Sequence, residues 1–317
     1  MSAVAIYDAL TEGRHQVLPV GIDRTGDWHI IDPSRRPFQA EGRPVSLSIP
    51  DGMLRSGQDD LGFDVVFPVL HGPYGEDGTI QGLFEIVGKP YVGCGVLSSA
   101  MAMDKEVAKR LFVEAGIPTA RWEVVRGDAY RADPAGTVER VIDMLGLPVF
   151  VKPGSLGSSV GITKVLAPND LKDGIDEALR HGDKVIVEEE ISGREIEVAV
   201  LDGPRAAHPG EVHAGDEWYT YDAKYHNEAS RFETPADLSP ARSAEVRSLA
   251  KRAFTALECR GLARVDFFLE RDGRGFLLNE VNTMPGFTPI SGFPKMWMAS
   301  GMSYAELCNE LVELGLR

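Results

Sequence analysis

A glycine- and serine-rich run between residues 152 and 161 has a composition suited to binding phosphate. Glycine lets backbone N–H groups approach phosphate oxygens, serine adds hydroxyl donors, and Lys152 on the preceding strand adds a positive charge. The run follows neither the GxxxxGK[ST] pattern nor the GxGxxG pattern of common nucleotide-binding loops. A merely flexible loop would look the same, so this segment alone leaves both interpretations open.

A second segment places two acids and an amide on adjacent strands. Side chains two residues apart on a strand share a face. Arg264 and Asp266 are therefore predicted to lie on one face of their strand, and Glu280 and Asn282 on one face of theirs. A tight turn would bring the two faces into register. Carboxylate and amide oxygens are hard ligands that suit Mg²⁺. The alternative is a solvated sheet face, but apolar flanking residues indicate a core element, where buried acids need a partner such as a metal.

The run HGPYGEDG, which begins at His71, joins the end of an apolar segment to the start of a helix. A helix N-terminus favours an anion, which here could be a substrate carboxylate. His71 stands where it could hydrogen-bond to a substrate or exchange a proton with it. The alternative is a loop histidine that only caps backbone groups.

The elements that position the first of these residues follow from apolar spacing. The apolar run 65–70 predicts a buried strand, and the i, i+3, i+4, i+7 spacing from Ile80 to Val87 predicts a helix. A second helix is predicted to begin near Asp104 and to end at Gly116. A strand, a loop and a helix in this order are typical of an α/β domain, in which loops at strand ends bind ligands.

The second half of the chain is predicted to be richer in strands. Strands are expected at 149–152, 185–188, 195–201, 261–270 and 275–281. The last two should form a hairpin, because the Asp272-Gly273 dipeptide favours a tight turn. Residues 209–238 carry little periodicity and are predicted as one long loop. Ser303 and Glu306 should form a capping box that starts a final helix.

Composition limits the kind of protein this is. The 317 residues include 33 basic and 48 acidic ones, which gives a formal net charge of -15. The length suggests two or three domains with real cores. An acidic chain repels phosphate backbones, which argues against a nucleic-acid partner, whereas a local cluster of basic residues could still bind a nucleotide.

The cysteines and the apolar runs bear on the compartment. Cys94, Cys259 and Cys308 are too few and too scattered for a disulfide framework or a cysteine zinc site. No apolar run approaches the ~20 residues that a membrane span needs, and the N-terminus lacks a secretory pattern. The sequence therefore predicts a cytoplasmic protein with no membrane partner.

Together and in this order, the three segments resemble D-alanine–D-alanine ligases of the ATP-grasp superfamily. The similar stretches, from residue 60 onward, are HGPYGEDGTIQG, AMDK, VKPGSLGSSVGITKV, VEEEISGREIEVAVL, YDAKY, ARVDFFLE and NEVNTMPGFT. The combination of HGxxGEDG with NExNTxPGFT is highly specific among ATP-grasp proteins. The resemblance implies an α/β fold, α+β in its ATP-grasp part, with a truncated Rossmann-like N-terminal domain (1–96), a central domain (97–189) and a C-terminal domain (190–317).

The resemblance also assigns roles to individual residues. The residues placed in the D-alanine site and its loop contacts are His71, Ser158, Tyr225, Arg264, Gly286 and Ser291. The residues placed around ATP are Lys105, Lys152, Ser159, Glu188, Ile191, Glu195 and Lys224. The residues placed around magnesium, with manganese as an alternative, are Asp266, Glu280 and Asn282.

The implied reaction makes D-alanyl-D-alanine for peptidoglycan precursors. ATP phosphorylates the first D-alanine, while magnesium and lysines neutralise the charge of the transferring group. The second D-alanine attacks the acyl phosphate, and Arg264 with the Gly286 N–H stabilises the oxyanion. Closure of the loop Tyr219–Tyr225 would exclude water. Tyr225 favours D-alanine over D-lactate as the second substrate, and the resemblance implies a homodimer.

The sequence departs from the family pattern at its start. Family members begin with a strand, a glycine-rich loop and a Ser-x-Glu-x-x-Val-Ser segment before the helix that residues 2–10 match. We therefore expect an N-terminal domain without that strand and without the glutamate that orients the first D-alanine. Either the start is assigned too far downstream or trimmed, or the chain is a variant that binds ATP and ligates weakly.

Three functions consequently remain in competition. The first is the ligase described above. The second is a non-catalytic or impaired ATP-binding paralogue, which the missing N-terminal segment favours and the intact metal set opposes. The third is an ATP-grasp ligase for a different amino acid, which the presence of His71, Ser158, Tyr225 and Ser291 opposes.

Overall fold

Three sheets and the helices packed on them organise the chain in a computed structural model, which describes residues 1–13, 15–157, 160–213, 231–271 and 273–317. The described helices are α1 (Ser2–Gly13), α2 (Thr79–Ile86), α3 (Val96–Met103), α4 (Lys105–Glu114), α5 (Gly127–Ala132), α6 (Pro134–Leu145), α7 (Pro168–Ala178), α8 (Pro240–Ala256), α9 (Gly292–Ala299) and α10 (Tyr304–Gly315). A 3₁₀ turn, Leu179–His181, follows α7. No helix in these ranges is long and apolar enough to cross a membrane.

The strands fall into three groups along the chain. The first group is β1 (Val20–Ile22), β2 (Trp28–Ile31), β3 (Gly42–Leu47), β4 (Leu54–Ser56) and β5 (Asp59–Leu61). The second is β6 (Trp122–Arg126), β7 (Val149–Pro153), β8 (Thr163–Val165) and β9 (Lys184–Glu189). The third is β10 (Gly193–Leu201), β11 (Arg205–Ala206), β12 (Gly210–His213), β13 (Arg231–Glu233), β14 (Leu262–Glu270) and β15 (Phe276–Asn282).

The first group forms an antiparallel meander in the order β1-β2-β3-β4-β5. The strand predicted at 65–70 was wrong, because Val66 forms only a parallel bridge with Tyr91. Two backbone hydrogen bonds hold this bridge, Val66 N–H to the Pro90 carbonyl at 2.9 Å and Val92 N–H to the Val66 carbonyl at 2.8 Å. Pro68 has no N–H to donate, so the ladder stops there. The helix predicted after Gly78 is confirmed as α2.

The central sheet has the order β6-β9-β7-β8, with every pairing antiparallel. Strand β7 alternates buried and half-buried residues, as expected for a sheet with one covered face. Helices α6 and α7 cover that face, and Val149, Val151, Leu171 and Ile175 are fully buried in the core between them. The strands predicted at 149–152 and 185–188 are both confirmed.

The C-terminal sheet has the order β13-β12-β10-β14-β15, with β11 on the end of β10. The predicted hairpin is confirmed, because β14 and β15 pair antiparallel and place Arg264 opposite Asn282 and Asp266 opposite Glu280. The ladder shifts by one residue directly after Asp266, where Phe267 pairs with Leu278. Asn279 is the extra residue of this bulge, a feature that locally bends the strand and increases its twist.

The prediction of one long loop over residues 209–238 was wrong at both ends. Strand β12 begins at Gly210 and pairs with β10 and with β13. Each of these strands is short and carries charged residues, which hides the alternation that identifies longer strands. Residues 214–230 lie outside the described part of the chain.

The final helix, α10, begins at the predicted capping box. The Ser303 hydroxyl accepts from the Glu306 N–H at 3.2 Å, and the Glu306 carboxylate accepts from the Ser303 N–H at 2.8 Å. The buried face of α10 (Leu307, Leu311) packs with Ile6 and Leu10 of α1 in one apolar core. The first and last helices of the chain therefore stabilise each other.

We expect Ser303→Ala to lower the free energy of unfolding by about 1 kcal/mol, because an N-cap hydrogen bond is lost. Equilibrium urea unfolding followed by circular dichroism measures this. Ser248→Ala is the matched control, because Ser248 is exposed within α8. Equal midpoints for the two variants would show that the cap contributes nothing.

Candidate active site

A cluster of charged side chains lies on the hairpin β14–β15. Arg264 Nε donates to Asp266 Oδ1 at 2.8 Å and Arg264 Nη2 to Asp266 Oδ2 at 2.7 Å. Asn282 Nδ2 donates to Asp266 Oδ2 at 2.9 Å. Burial opposes the charge of Arg264, but Asp266 and Glu197 outweigh it and raise the pKa of the guanidinium well above its usual value. Arg264 is therefore a permanent cation at this site.

The position of Glu280 makes the cluster suitable for a divalent cation. Glu280 stands directly opposite Asp266 in the ladder, and like charges at such positions repel unless a cation lies between them. In the described residues, no group of three or more His, Cys, Asp or Glu side chains is arranged to hold a metal by itself. Mg²⁺ uses few protein ligands and completes its shell with water and phosphate. Two carboxylates and one amide fit that requirement.

Two lysines flank Glu188. Glu188 Oε2 lies 2.7 Å from Lys152 Nζ, and Glu188 Oε1 lies 3.2 Å from Lys109 Nζ, with all three side chains largely buried. Burial alone would raise the pKa of Glu188, but Lys109 and Lys152 overcome this and lower it to about 2. The carboxylate predicted to serve adenine is thus engaged by two ammonium groups.

The ion pair between Glu188 and Lys109 has a smaller effect on the pKa of the lysine than burial does. Burial lowers the pKa of Lys109, and Glu188 opposes this shift without cancelling it. The asymmetry has a physical cause, since Glu188 gains from two cations whereas Lys109 gains chiefly from one carboxylate. Burial also lowers the pKa of Lys105, against the attraction of Glu280. Lys105 therefore interacts electrostatically with Glu280, one of the acids of the hairpin.

The glycine-rich segment is anchored at its start. Gly154 N–H donates to the Lys184 carbonyl at 2.8 Å, and Lys105 N–H donates to the Gly154 carbonyl at 2.9 Å. The ammonium group of Lys105 donates to the Leu156 carbonyl. Ser158, predicted to make a loop contact, and Ser159, predicted to bind ATP, lie outside the described residues.

The chain passes from the central sheet to the C-terminal sheet between Glu189 and Gly193. Ile191 is half-buried in this crossing, and Glu195 lies on β10 just after it. Glu189 is held from both sides, by Arg121 Nε at 2.7 Å and by Arg274 Nη1 at 2.6 Å. The segment predicted to bind adenine and ribose is therefore fixed at the junction of the two sheets.

His71 lies beside the loop that follows β15. Its Nδ1 is 3.1 Å from the Met284 carbonyl oxygen. A carbonyl only accepts hydrogen bonds, so Nδ1 carries the proton and Nε2 is the acceptor of the neutral ring. Partial desolvation lowers the pKa of His71, against the opposing effect of the Met284 hydrogen bond. The neutral imidazole is thereby favoured near neutral pH.

The predicted residues Gly286 and Ser291 lie next to each other on that loop. A Cβ built on Gly286 would be 3.3 Å from Ser291 Oγ. Ser291 Oγ also lies 2.8 Å from Thr288 Oγ1 and accepts from the Thr288 N–H at 3.1 Å. Tyr304 of α10 donates to the Phe287 carbonyl at 2.7 Å and fixes the loop from behind. The structure therefore brings together His71, Gly286 and Ser291, whereas Lys224 and Tyr225 lie outside the described residues.

Both halves of the chain match models of one protein family. The description "D-ala D-ala ligase N-terminus" matches residues 1–94, and "D-ala D-ala ligase C-terminus" matches residues 111–313. The chain belongs to the D-alanine–D-alanine ligase family. The resemblance found in the sequence is thereby confirmed.

Curated relatives and solved structures agree with this membership. A D-alanine–D-alanine ligase of Streptomyces griseus is 44% identical, covering 100% of this chain and 88% of the relative. D-alanine–D-alanine ligase A of Bradyrhizobium diazoefficiens is 45% identical, covering 99% and 90%. The D-Ala:D-Ser ligase of Enterococcus faecalis superimposes with a TM-score of 0.87 at 33% identity, covering 99% and 94%. The D-alanine–D-alanine ligase of Coxiella burnetii gives 0.84 at 33% identity, covering 99% and 89%. The predicted ATP-grasp fold class is therefore confirmed.

Two charged residues of the candidate site were not predicted from the sequence. Glu197 Oε1 lies 3.3 Å from Arg264 Nε, and Lys109 pairs with Glu188. The spacing of Glu197 and of Lys109 from predicted site residues was a weak indication of both. Glu197 is two residues after Glu195 and shares its face of β10, while Lys109 is one helical turn after Lys105.

Proposed function

We propose that this chain is an ATP-dependent ligase that joins two D-alanines to D-alanyl-D-alanine through a D-alanyl phosphate, for peptidoglycan precursor synthesis. The observation that carries the proposal is the hairpin, on which Arg264 and Asp266 face Asn282 and Glu280 in register. Membership of the ligase family supports both the reaction class and the use of ATP.

The lysines would hold the phosphates of ATP in the cleft. Lys105 and Lys152 are half-buried lysines whose present partners are the Leu156 carbonyl and Glu188. Asp266, Glu280 and Asn282 would hold Mg²⁺, which supplies neutralisation of the charge on the transferring phosphoryl group. Ser159 and Lys224 belong to the same proposal by their resemblance to the family, and so do Glu195 and Ile191, which would hold ribose and adenine.

The other side of the cleft would bind the amino acids. Arg264 is a fixed cation for a substrate carboxylate or for the oxyanion that forms when the amine attacks. The Gly286 N–H would donate to the same oxyanion, and Ser291 would orient the substrate. Neutral His71 presents Nε2 as an acceptor, which suits contact with an ammonium or amine group. Ser158 and Tyr225 would close the loops over the site.

The finer parts of the proposal concern assembly and location. The family resemblance supports a homodimer and a cytoplasmic protein. Exposed apolar side chains on α2 and α3 (Ile86, Val96, Leu97) provide a surface that a second copy could cover. The domain bounds 1–96, 97–189 and 190–317 belong to the same proposal.

We expect phosphate release from ATP and Mg²⁺ to depend on D-alanine and to leave D-alanyl-D-alanine as the product. L-alanine should release none, because the proposed substrate is the D-enantiomer. Coupled phosphate detection and mass spectrometry measure the two products. D-serine is assayed beside D-alanine, since the solved Enterococcus faecalis relative is a D-Ala:D-Ser ligase. ATP binding without any phosphate release would favour the non-catalytic alternative.

A further inference from the structure

Glu197 of β10 stands beside the arginine of the proposed D-alanine site. Its Oε1 lies 3.3 Å from Arg264 Nε, and the side chains of both residues are nearly buried. In the ladder between β10 and β14, Glu197 is directly opposite Asp266. Arg264 Nε therefore contacts two carboxylates, which come from neighbouring strands.

The packing around Glu197 fixes where its carboxylate can be. A Cβ built on Gly292, the first residue of α9, would lie 2.6 Å from Glu197 Oε2 and 3.1 Å from the ring of Phe232. The carboxylate and the ring together occupy the space that a side chain at position 292 would need. Gly292 follows Ser291 directly, so this contact connects Glu197 to the loop proposed to bind D-alanine.

The charges explain why Arg264 needs a second carboxylate. Both oxygens of Asp266 accept hydrogen bonds from Arg264, and Oδ2 also accepts from Asn282. Asp266 is at the same time a proposed metal ligand. When an Asp266 oxygen coordinates a cation, its hydrogen bond to the guanidinium weakens. Glu197 lies on β10 and is not a proposed metal ligand, so its contact with Arg264 is retained. A planar guanidinium needs such fixed partners to hold one orientation.

We propose that Glu197 is a positioning residue that holds the Arg264 guanidinium in its catalytic orientation when Asp266 is engaged by the metal. The inference rests on the proposed ligase function, in which Arg264 contacts the reacting amino acids. Glu197 itself contacts the arginine, and its Oε2 occupies the space into which a side chain at Gly292 would extend.

The test compares Glu197→Gln and Glu197→Asp with the wild-type enzyme and with Glu114→Gln, an exposed change on α4. We expect Glu197→Gln to lower kcat about 10- to 100-fold, the usual effect of removing an outer partner. The KM for ATP should stay unchanged, and Glu197→Asp should restore part of the rate. Gly292→Ala should reproduce the loss of kcat, because the added methyl group displaces the Glu197 carboxylate.

A readout independent of turnover follows the arginine itself. The Nε–H signal of Arg264 in ¹⁵N spectra, assigned by its loss in Arg264→Lys, should shift in Glu197→Gln and stay in place in Glu114→Gln. A wild-type protein that releases no phosphate with D-amino acids would refute the proposed function alone. An active wild type with an equally fast Glu197→Gln, or with an unmoved Arg264 signal, would overturn the inference. Equal loss of kcat and of ATP affinity would also overturn it, since that is the result of general structural damage.

Discussion

Arg264→Lys is expected to lower kcat by about 100- to 1000-fold, the loss measured when one oxyanion donor is removed. Lysine keeps the positive charge that the half-buried carboxylates Asp266 and Glu197 require, so the protein should remain folded. It cannot reproduce the two parallel bonds from Nε and Nη2 to Asp266, which hold the guanidinium plane in place. The substitution therefore separates the geometry of the donor from its charge.

The control for this prediction is Arg194→Lys. Arg194 makes the same kind of two-pronged pair, to Glu211 at 2.8 Å and 2.5 Å, in the same sheet and away from the hairpin cluster. Initial rates of dipeptide formation at saturating ATP and D-alanine measure both variants. If Arg264→Lys were as fast as Arg194→Lys, Arg264 would have no part in the chemical step.

Glu188→Gln is expected to lower the free energy of unfolding by about 3–5 kcal/mol, because a buried ion pair loses one partner. The ammonium group of Lys109 would keep its burial and lose the carboxylate that lies 3.2 Å away. This ammonium has no aligned hydrogen bond among the described residues, so the charge of Glu188 is its main compensation. The double variant Glu188→Gln/Lys109→Met should recover part of the loss, since removing both charges avoids an unpaired one.

Urea unfolding without nucleotide, followed by intrinsic tryptophan fluorescence, to which Trp122 contributes, measures these changes. Trp122 is suitable because it stands opposite Glu188 in the β6–β9 pairing. Because the pKa of Glu188 is lowered from 4.5 to about 2, its contribution is complete above pH 4.5 and is lost as the pH falls towards 2. The difference between wild type and Glu188→Gln should therefore shrink on acidification. A double variant less stable than Glu188→Gln would contradict the unpaired-charge explanation.

The part of the site carried by long, regular elements was predictable from the sequence. The hairpin followed from two apolar runs around an Asp-Gly turn, and strand periodicity then set which side chains share a face. The structure adds the register, in which Asp266 meets Glu280 directly. It also adds the bulge at Asn279, which no periodicity reveals because a bulge interrupts the alternation on which such predictions depend.

The features that were missed depend on tertiary contacts. Glu197 looked like one more charged residue on a strand, and Lys109 like an ordinary helix lysine, until the neighbouring elements buried them. Pro68 was the visible sign that the apolar run 65–70 could not extend a ladder. The meander β1–β5 consists of strands of three to six residues, which are too short to show a period.

The packing of α1 against α10 has a consequence for how the protein is made. The apolar face of α1, with Ile6 and Leu10, is covered by α10, which is synthesised after every other described helix. His71 likewise meets Met284, its partner 213 residues later. At ribosomal speeds of about 5–20 residues per second, roughly 10–40 s pass before that partner exists. The apolar surface of the N-terminal region therefore stays exposed to solvent during that interval, and we expect it to be bound by a chaperone.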